Sequence, residues 1–585
     1  MTEGLEVSAP ARGADSPGTE IPNDSFTLES QGWSSDAAAC APKIFALASL
    51  LNLEAPAPVA RVVYQSKGNA LVIAGGDESR ARAAAESLAT GLHVTLLADR
   101  RGHASNIAAW SGGVEAIAGY LGEFTATIAN LDTGKGPAAK PAEAKFDLVL
   151  DFSAAPLLAM RQPPQGYFRA PDDADLDSVL VEMREAVGEF EKPRFFAYRE
   201  NICAHSRSDI TGCNACIEIC STQAISADGD HVKVDPHLCM GCGACATVCP
   251  SGAMGYQYPR VADRGAQMKQ LLGAYRNAGG ENPCIVFHNG TDGRDVLARA
   301  ATEGEGLPAR ALPLEAWHVA SVGLDLLLPA IAFGARQVVV LAAGSEDAEY
   351  VAALKSQMAI GEAVLAALGY AGRHFAVIEA ATPEAMARGF GALGDAMTAA
   401  VPATFLLSND KRTAIEFAVE HLLKHAPTKV DEIALPAGAP YGAVNVDAAK
   451  CTMCMACVGS CPESALMDGV DQPLLKFLER NCVQCGLCES TCPEDAITLQ
   501  PRLLLTPAVR EARVLNQTQP FHCVRCDKPF GTKQMVDAML GRLAGHSMFT
   551  QSDALKRLQM CADCRVVDMM QSKNEASVLR LGGDS

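Results

Sequence analysis

Twenty-two cysteines in a chain of 585 residues constrain this sequence more than any other feature, and all but Cys40 and Cys284 fall into three patterned groups. The strictest group reads Cys451-x2-Cys454-x2-Cys457-x3-Cys461-Pro462 and then Cys482-x2-Cys485-x2-Cys488-x3-Cys492-Pro493. Long intracellular chains keep their thiols reduced, so clustered CxxC spacing reads as metal binding and not as a disulfide framework. An earlier group is less regular. Cys239-x2-Cys242-x2-Cys245-x3-Cys249-Pro250 is complete, but the run before it is Cys203-x9-Cys213-x2-Cys216-x3-Cys220, with Ser221 where Pro stands elsewhere. The third group is Cys523-x2-Cys526 followed, after 34 residues, by Cys561-x2-Cys564.

The two stricter groups resemble bacterial dicluster ferredoxins, over about 200–258 and 445–500. In that family a tight loop wraps three thiolates around one face of a cuboidal [4Fe–4S] cluster, and the thiolate before Pro reaches the other cluster of the pair. The resemblance implies one cluster on Cys451, Cys454, Cys457 and Cys492, and another on Cys482, Cys485, Cys488 and Cys461. Small residues such as Ala456 and Gly486 let the backbone close on the sulfides. The earlier group pairs in the same way, Cys239, Cys242, Cys245 and Cys220 against Cys203, Cys213, Cys216 and Cys249. The insertion Ala204–Gly212 sets Cys203 apart; were it idle, a three-iron cluster or ligation by His205 would replace it. The expected cofactors are therefore four [4Fe–4S] clusters. Cys523, Cys526, Cys561 and Cys564 form two pincers separated by a helical stretch, the pattern of a tetrahedral four-cysteine zinc site, with a single iron ion as the alternative. Cys523-Val-Arg-Cys526-Asp-Lys-Pro-Phe530 resembles half of a zinc-ribbon knuckle.

Between the cysteine groups the chain alternates strand and helix. Strands are expected at 69–76, 93–99 and 146–152, with helices at 78–90 and 175–190, as in an α/β unit with a parallel sheet. The turn after the first strand resembles the glycine turn of flavin-binding Rossmann domains, with Asp99 where a ribose-binding acid would fall. Positions 74, 76 and 79 are Ala74, Gly76 and Ser79, so two of three diagnostic glycines are missing and the scaffold reads as one that has lost its nucleotide. A second α/β segment covers about 265–405, with strands at 285–288, 337–341 and 375–378 and helices at 322–335, 348–368 and 383–399. Its stretch Asp325–Tyr350, with Phe333-Gly-Ala335 and Gly344-Ser-Glu-Asp-Ala-Glu-Tyr350, resembles the delta subunit of methyl-viologen-type hydrogenases. That family carries cysteines there and this chain has none, which implies a scaffold or docking surface without a [2Fe–2S] centre. Cys284, at the edge of an apolar strand, reads as core.

The fold class expected is α/β multidomain: Rossmann-like α/β segments interleaved with two α+β dicluster ferredoxin units and a C-terminal zinc-knuckle segment. The divisions are a disordered tail at 1–40, a Rossmann-like unit at 41–198, ferredoxin units at 199–260 and 436–505, the second α/β domain at 261–435 and the zinc segment at 506–585. The layout looks like the large ferredoxin-type proteins associated with formate dehydrogenases, or heterodisulfide-reductase-like electron hubs with the flavin turn degraded. Lys and Arg number 49 against 68 Asp and Glu, a net charge of −19, which argues against nucleic acid as a partner and suits docking to basic protein surfaces. Apolar runs fall short of a membrane span; Leu326–Gly344 is cut by Arg336 and Gln337, and Ile44–Leu51 reads as a buried helix and not as a signal-peptide core. The chain reads as a cytoplasmic electron-transfer protein and not as an enzyme, linking redox partner proteins, formate dehydrogenase among them. A flavin- or nucleotide-dependent oxidoreductase subunit and a metalloenzyme maturation factor are the alternatives.

Overall fold

Uninterrupted apolar runs form strands buried on both faces, as parallel sheets require. A computed structural model describes residues 37–100, 107–170, 175–344, 346–470, 472–544, 546 and 552–571. In the second α/β domain the four-stranded sheet runs Ala311–Ala316, Cys284–Asn289, Gln337–Ala342, Phe375–Glu379, all parallel, and its first three strands are buried throughout. Helices Val261–Asn277, Leu324–Ala332, Ala348–Ala367 and Lys411–Lys424 contribute to the larger core against it. Cys284 is fully buried among Val286, Leu297 and Val339, and burial pushes its thiol up to about 12.

The first α/β unit holds a seven-stranded sheet in the order Ala142–Phe146, Phe124–Asp132, Ala108–Ala118, His93–Ala98, Asn69–Ile73, Leu148–Asp151, Tyr167–Arg169. The last five of these are parallel, and Phe124–Asp132 is antiparallel to both of its neighbours. The expected strand at 146–152 is two strands in distant places of the sheet. Asp147 divides them: its Oδ2 accepts from the Lys67 and Asn69 N–H groups at 2.8 and 3.0 Å. The expected helix at 175–190 ends at Glu185, and Gly188–Pro193 pairs instead with Arg61–Ser66 as a separate antiparallel ribbon. The helix expected at 383–399 ends at Gly391. At the glycine turn, Gly75 has φ +62°, and a Cβ there would lie 2.5 Å from the Ser153 backbone. Its missing side chain serves packing within the sheet.

Several divisions move. Residues 1–36 of the expected tail lie outside the described residues, but a helix covers Ala37–Ser49, with Cys40 buried. This helix belongs with the second α/β domain, because Lys43 Nζ donates to the carbonyls of Leu307 and Pro308 at 3.2 and 2.8 Å. The first ferredoxin unit begins at Phe196–Tyr198, which pairs with Met254–Tyr256. In the second, Glu432–Ala434 and Gly442–Val446 both pair with Ile497–Leu504, and Arg513–Gln517 adds a strand beside Leu474–Phe477. Residues 513–517 thus pair with a strand that precedes Cys482. The C-terminal segment consists of a small hairpin, Pro520–His522 with Pro529–Thr532, and helices Lys533–Leu543, Ser552–Leu558 and Ala562–Gln571.

Candidate metal centres

The x2-x2 spacing becomes a wrap through two left-handed residues per run. They fall just before and just after the second cysteine: Gly241 and Gly243 at φ 85° and 78°, Met453 and Met455 at 57° and 64°, Gln484 and Gly486 at 54° and 83°. Each wrap ends in a five-residue helix, Ala244–Val248, Ala456–Ser460 or Leu487–Thr491, that carries the third cysteine inward. A further left-handed residue stands three positions past every fourth cysteine: Gln223, Gly252, Ser464 and Asp495. This turn aims an amide back at the sulfur. Met254 N–H donates to Cys249 Sγ at 3.4 Å, Ala465 to Cys461 at 3.2 Å and Ala496 to Cys492 at 3.4 Å. Amides aimed at ligand sulfurs are one of the levers that set cluster potentials.

The irregular run has its own solution. The nine-residue insertion folds into a hairpin, with Ser206 opposite Thr211 and Arg207 opposite Ile210 around a two-residue turn at Ser208 and Asp209. Both turn residues have positive φ, 51° and 65°, as the tight hairpin turns that match strand twist demand. The pairing continues to the base, where Gly212 N–H donates to the His205 carbonyl and Cys213 N–H to the Ala204 carbonyl. Cys203 and Cys213 thereby become spatial neighbours despite the gap between them. The ring of His205 meets the Cys213 carbonyl through Nδ1 at 3.2 Å.

Four thiol groups result. Burial, then the charges of Cys249, Cys213 and Cys203, push the Cys216 thiol up. Burial raises Cys239 to about 11, with Cys242 and Cys220 adding to it. Burial raises Cys457 to about 12, its neighbours being Cys451, Cys454 and Cys492. Burial likewise raises Cys488, beside Cys482, Cys485 and Cys461. In the second unit one small cavity is lined by Cys461, Cys482, Cys485 and Cys488 and another by Cys451, Cys454, Cys457 and Cys492, so the fourth cysteine of each comes from the other run. Charge also acts between groups: Cys216 raises the Cys245 thiol, Cys213 the Cys485 thiol and Cys457 the Cys488 thiol. The insertion hairpin lies against helix Leu487–Thr491, so closely that a Cβ on Gly212 would sit 2.6 Å from Leu487 Cγ.

Cys523, Cys526, Cys561 and Cys564 differ in scale. Their sulfurs all lie within 4.8 Å of one another, and those of Cys526 and Cys561 are 3.7 Å apart. Four sulfurs about 2.3 Å from a central ion have edges of about 3.8 Å, so this group fits one tetrahedral ion. Cys523 and Cys561 are buried and Cys526 is exposed. Burial raises the Cys523 thiol, but the backbone N–H groups of Cys561, Arg525 and Cys526 outweigh it and hold it at about 6, favouring the thiolate a metal needs. The site adjoins the second ferredoxin unit: Thr532 Oγ1 donates to the Thr452 carbonyl at 3.0 Å, and Arg542 pairs with Glu494.

Sequence reasoning missed the side chains that reach these groups from outside. Lys192 Nζ donates to the Cys239 carbonyl at 2.7 Å, and Lys411 Nζ to the Cys249 carbonyl at 3.0 Å. Arg412 Nη2 donates to the Cys482 carbonyl at 3.1 Å and stacks over Tyr441. Tyr350, in the first turn of helix Ala348–Ala367, packs in one cluster with Cys242, and its hydroxyl lies 2.5 Å from Ser221 Oγ. None carries a motif, since each is remote in sequence from the cysteine it serves. A cavity of about 430 Å³ lies between helix Lys411–Lys424 and the two ferredoxin units, lined in part by Ile202, Ser251, Tyr441, Glu463 and Leu503.

Comparison with known proteins matches residues 211–253 and residues 450–497 each to the 4Fe-4S dicluster domain. Cys203 precedes the first match. Hydrogenase-4 component A of Escherichia coli K12 is 38% identical over 52 residues, covering 9% of this chain and 25% of that protein. The 7Fe ferredoxin of Hydrogenibacillus schlegelii is 37% identical over 43 residues, 7% of this chain and 55% of its own length. Indolepyruvate oxidoreductase subunit IorA of Pyrococcus horikoshii is 51% identical over 45 residues, 7% of each chain. The chain thus spans between 7% and 55% of the length of these relatives. Together the two domains and these similarities support an iron–sulfur electron-transfer protein. No helix among the described residues is long and apolar enough to cross a membrane.

Proposed function

We propose that this cytoplasmic protein holds four [4Fe–4S] clusters and one structural zinc ion, and conducts electrons between two redox partner proteins. The single observation that carries this reading is the pair of 4Fe-4S dicluster domains, at 211–253 and 450–497, packed together where the insertion hairpin meets helix Leu487–Thr491. The proposed ligands are Cys239, Cys242, Cys245 and Cys220; Cys203, Cys213, Cys216 and Cys249; Cys482, Cys485, Cys488 and Cys461; Cys451, Cys454, Cys457 and Cys492. Zinc falls to Cys523, Cys526, Cys561 and Cys564. When bound, each cluster supplies reversible uptake of one electron. The chain's own part is to bury the sulfurs, aim amides at them and keep the two units in contact through the insertion hairpin. No nucleotide site is needed, and Gly75 already packs against Ser153. The similarity of the layout to formate-dehydrogenase-associated ferredoxin proteins makes such an enzyme the first partner to try.

The test is metal content and reoxidation of the anaerobically purified full chain. The ligand count implies about 16 iron and about one zinc per chain. Protein reduced with dithionite should be reoxidised by viologen dyes or a partner enzyme and not by NAD or NADP alone. Rapid reoxidation by either nucleotide without a partner would overturn the reading in favour of a nucleotide-dependent oxidoreductase. A second reading rests on the similarity to a 7Fe ferredoxin: one group holds three irons. It requires a paramagnetic signal in the oxidised protein, which four intact [4Fe–4S] clusters would not give.

A further inference from the structure

Lys411 opens the helix Lys411–Lys424, just past its N-cap Asp410, and is buried. Its Nζ donates to three carbonyls, Ala246 at 2.8 Å, Thr247 at 2.6 Å and Cys249 at 3.0 Å. The first two close the short helix Ala244–Val248, whose last carbonyls have no partner within the helix. The third belongs to the cysteine that leaves this run for the neighbouring group. Three acceptors around one nitrogen require three N–H donors, which only the ammonium form has. The hydrogen-bonded form therefore carries its positive charge beside the Cys249 and Cys245 thiols; burial lowers the Lys411 pKa, and Asp325 and Cys249 act against that. No carboxylate among the described residues pairs with Lys411; Asp325 is the acid facing it at longer range, and Arg412 the neighbouring cation.

The helix that supplies Lys411 belongs to neither ferredoxin unit, and the same construction recurs. Lys192, from the strand Gly188–Pro193, binds the carbonyls of His237 and Cys239, and Arg412 binds those of Arg480 and Cys482. Three of the four thiol groups thus have a cation on a ligand carbonyl. Among the described residues, no lysine or arginine donates to the carbonyl of Cys451, Cys454, Cys457 or Cys492.

We propose that Lys411 is a positioning residue for the group on Cys203, Cys213, Cys216 and Cys249: it fixes the backbone ahead of Cys249 and raises the reduction potential there. The inference rests on the proposed function, in which that group holds a cluster. Reduction adds one electron from the donor, breaks no bond and moves no proton, so the ligated group becomes more negative by one unit. A buried ammonium nearby attracts the reduced form more strongly, and low local polarity prevents water from screening the difference.

The test is a dithionite redox titration of the full metal-loaded chain, followed by electron paramagnetic resonance, in the wild type and three variants. Lys411→Met keeps the length of the side chain and removes its charge; one titration step should move to lower potential while the others stay. Lys411→Arg should hold that step near its wild-type position. Asp325→Asn removes the facing negative charge and should move the same step upward. Full iron in Lys411→Met with an unchanged titration overturns the proposal. If Lys411→Met fails to load iron, Asp325→Asn decides, and an unmoved step in that variant overturns it. A wild-type chain with no iron at residues 203–249 overturns the cluster reading and this inference with it.

Discussion

Cys461 lies in the run of Cys451, Cys454 and Cys457, yet its sulfur neighbours Cys482, Cys485 and Cys488. The turn at Ser464 that aims the Ala465 amide at it carries the chain away from its own wrap. Cys461→Ser should therefore alter the resonance signal of the Cys482 group and leave that of the Cys451 group intact. Paramagnetic spectra of this variant against one altered at Cys451 check it; a change confined to the Cys451 group would refute the crossed arrangement. At the same scale, Met453 and Met455 adopt a backbone conformation that costs non-glycine residues about 1–2 kcal/mol each. The corresponding residues Gly241 and Gly243 carry no such penalty, so the two wraps reach one geometry through different residue types.

The insertion hairpin is an element with two tasks. Its paired base brings Cys203 beside Cys213, and its flank packs on helix Leu487–Thr491 of the other unit. Gly212 has no room for a side chain, with Leu487 Cγ at 2.6 Å and the Ala204 carbonyl at 2.7 Å from its would-be Cβ. Gly212→Val should push hairpin and helix apart, destabilise the junction by about 1–3 kcal/mol, and weaken magnetic coupling between the two units with iron content unchanged. Denaturant titration and the reduced-state resonance spectrum read both effects, and wild-type coupling in the variant would show that the junction lies elsewhere. The C-terminal element depends on its metal group in another way. Its buried cluster is only Cys523, Met560 and Cys561, with Phe530 and Cys564 alongside. So small a core cannot hold a fold alone, and an ion bound by the four cysteines would supply the missing folding energy. Cys561→Ala should abolish zinc binding and expose about 515–570 to proteases while the ferredoxin absorbance survives. A protease-resistant tail that still holds zinc would refute the four-cysteine assignment.

For the whole molecule, the net charge of −19 sets how it meets partners. Long-range attraction to a basic surface speeds docking and fades as the Debye length shrinks from about 10 Å at 0.1 M salt to about 3 Å at 1 M. Electron delivery to a basic partner enzyme should therefore slow as salt rises, measured by stopped-flow reoxidation; a rate independent of salt would mean that apolar contacts dominate the docking. The α/β units complete the assembly by supplying Lys192, Lys411, Arg412 and Tyr350 to the thiol groups. The stretch Asp325–Tyr350 has no cysteine, but Tyr350 packs in one cluster with Cys242.

What the sequence determines by itself is local. Cysteine spacing, the residues able to enter left-handed turns and the apolar runs of the parallel strands all act within a few positions of the chain, so wraps and buried strands were legible there. The two C-terminal cysteine pincers, whose sulfurs converge, were legible for the same reason, each being a four-residue knuckle. Tertiary structure decided what depends on partners far along the chain. Nothing near Lys411 in sequence points to Cys249, 162 positions away. The separation of Ala142–Phe146 from Leu148–Asp151 follows from a buried Asp147 whose amide partners, Lys67 and Asn69, come from another turn of the fold. The helix Ala37–Ser49 joined the second α/β domain, and Arg513–Gln517 the sheet of Leu474–Phe477, because burial of an apolar face and pairing of a strand edge are satisfied by whichever partner the folded chain brings alongside.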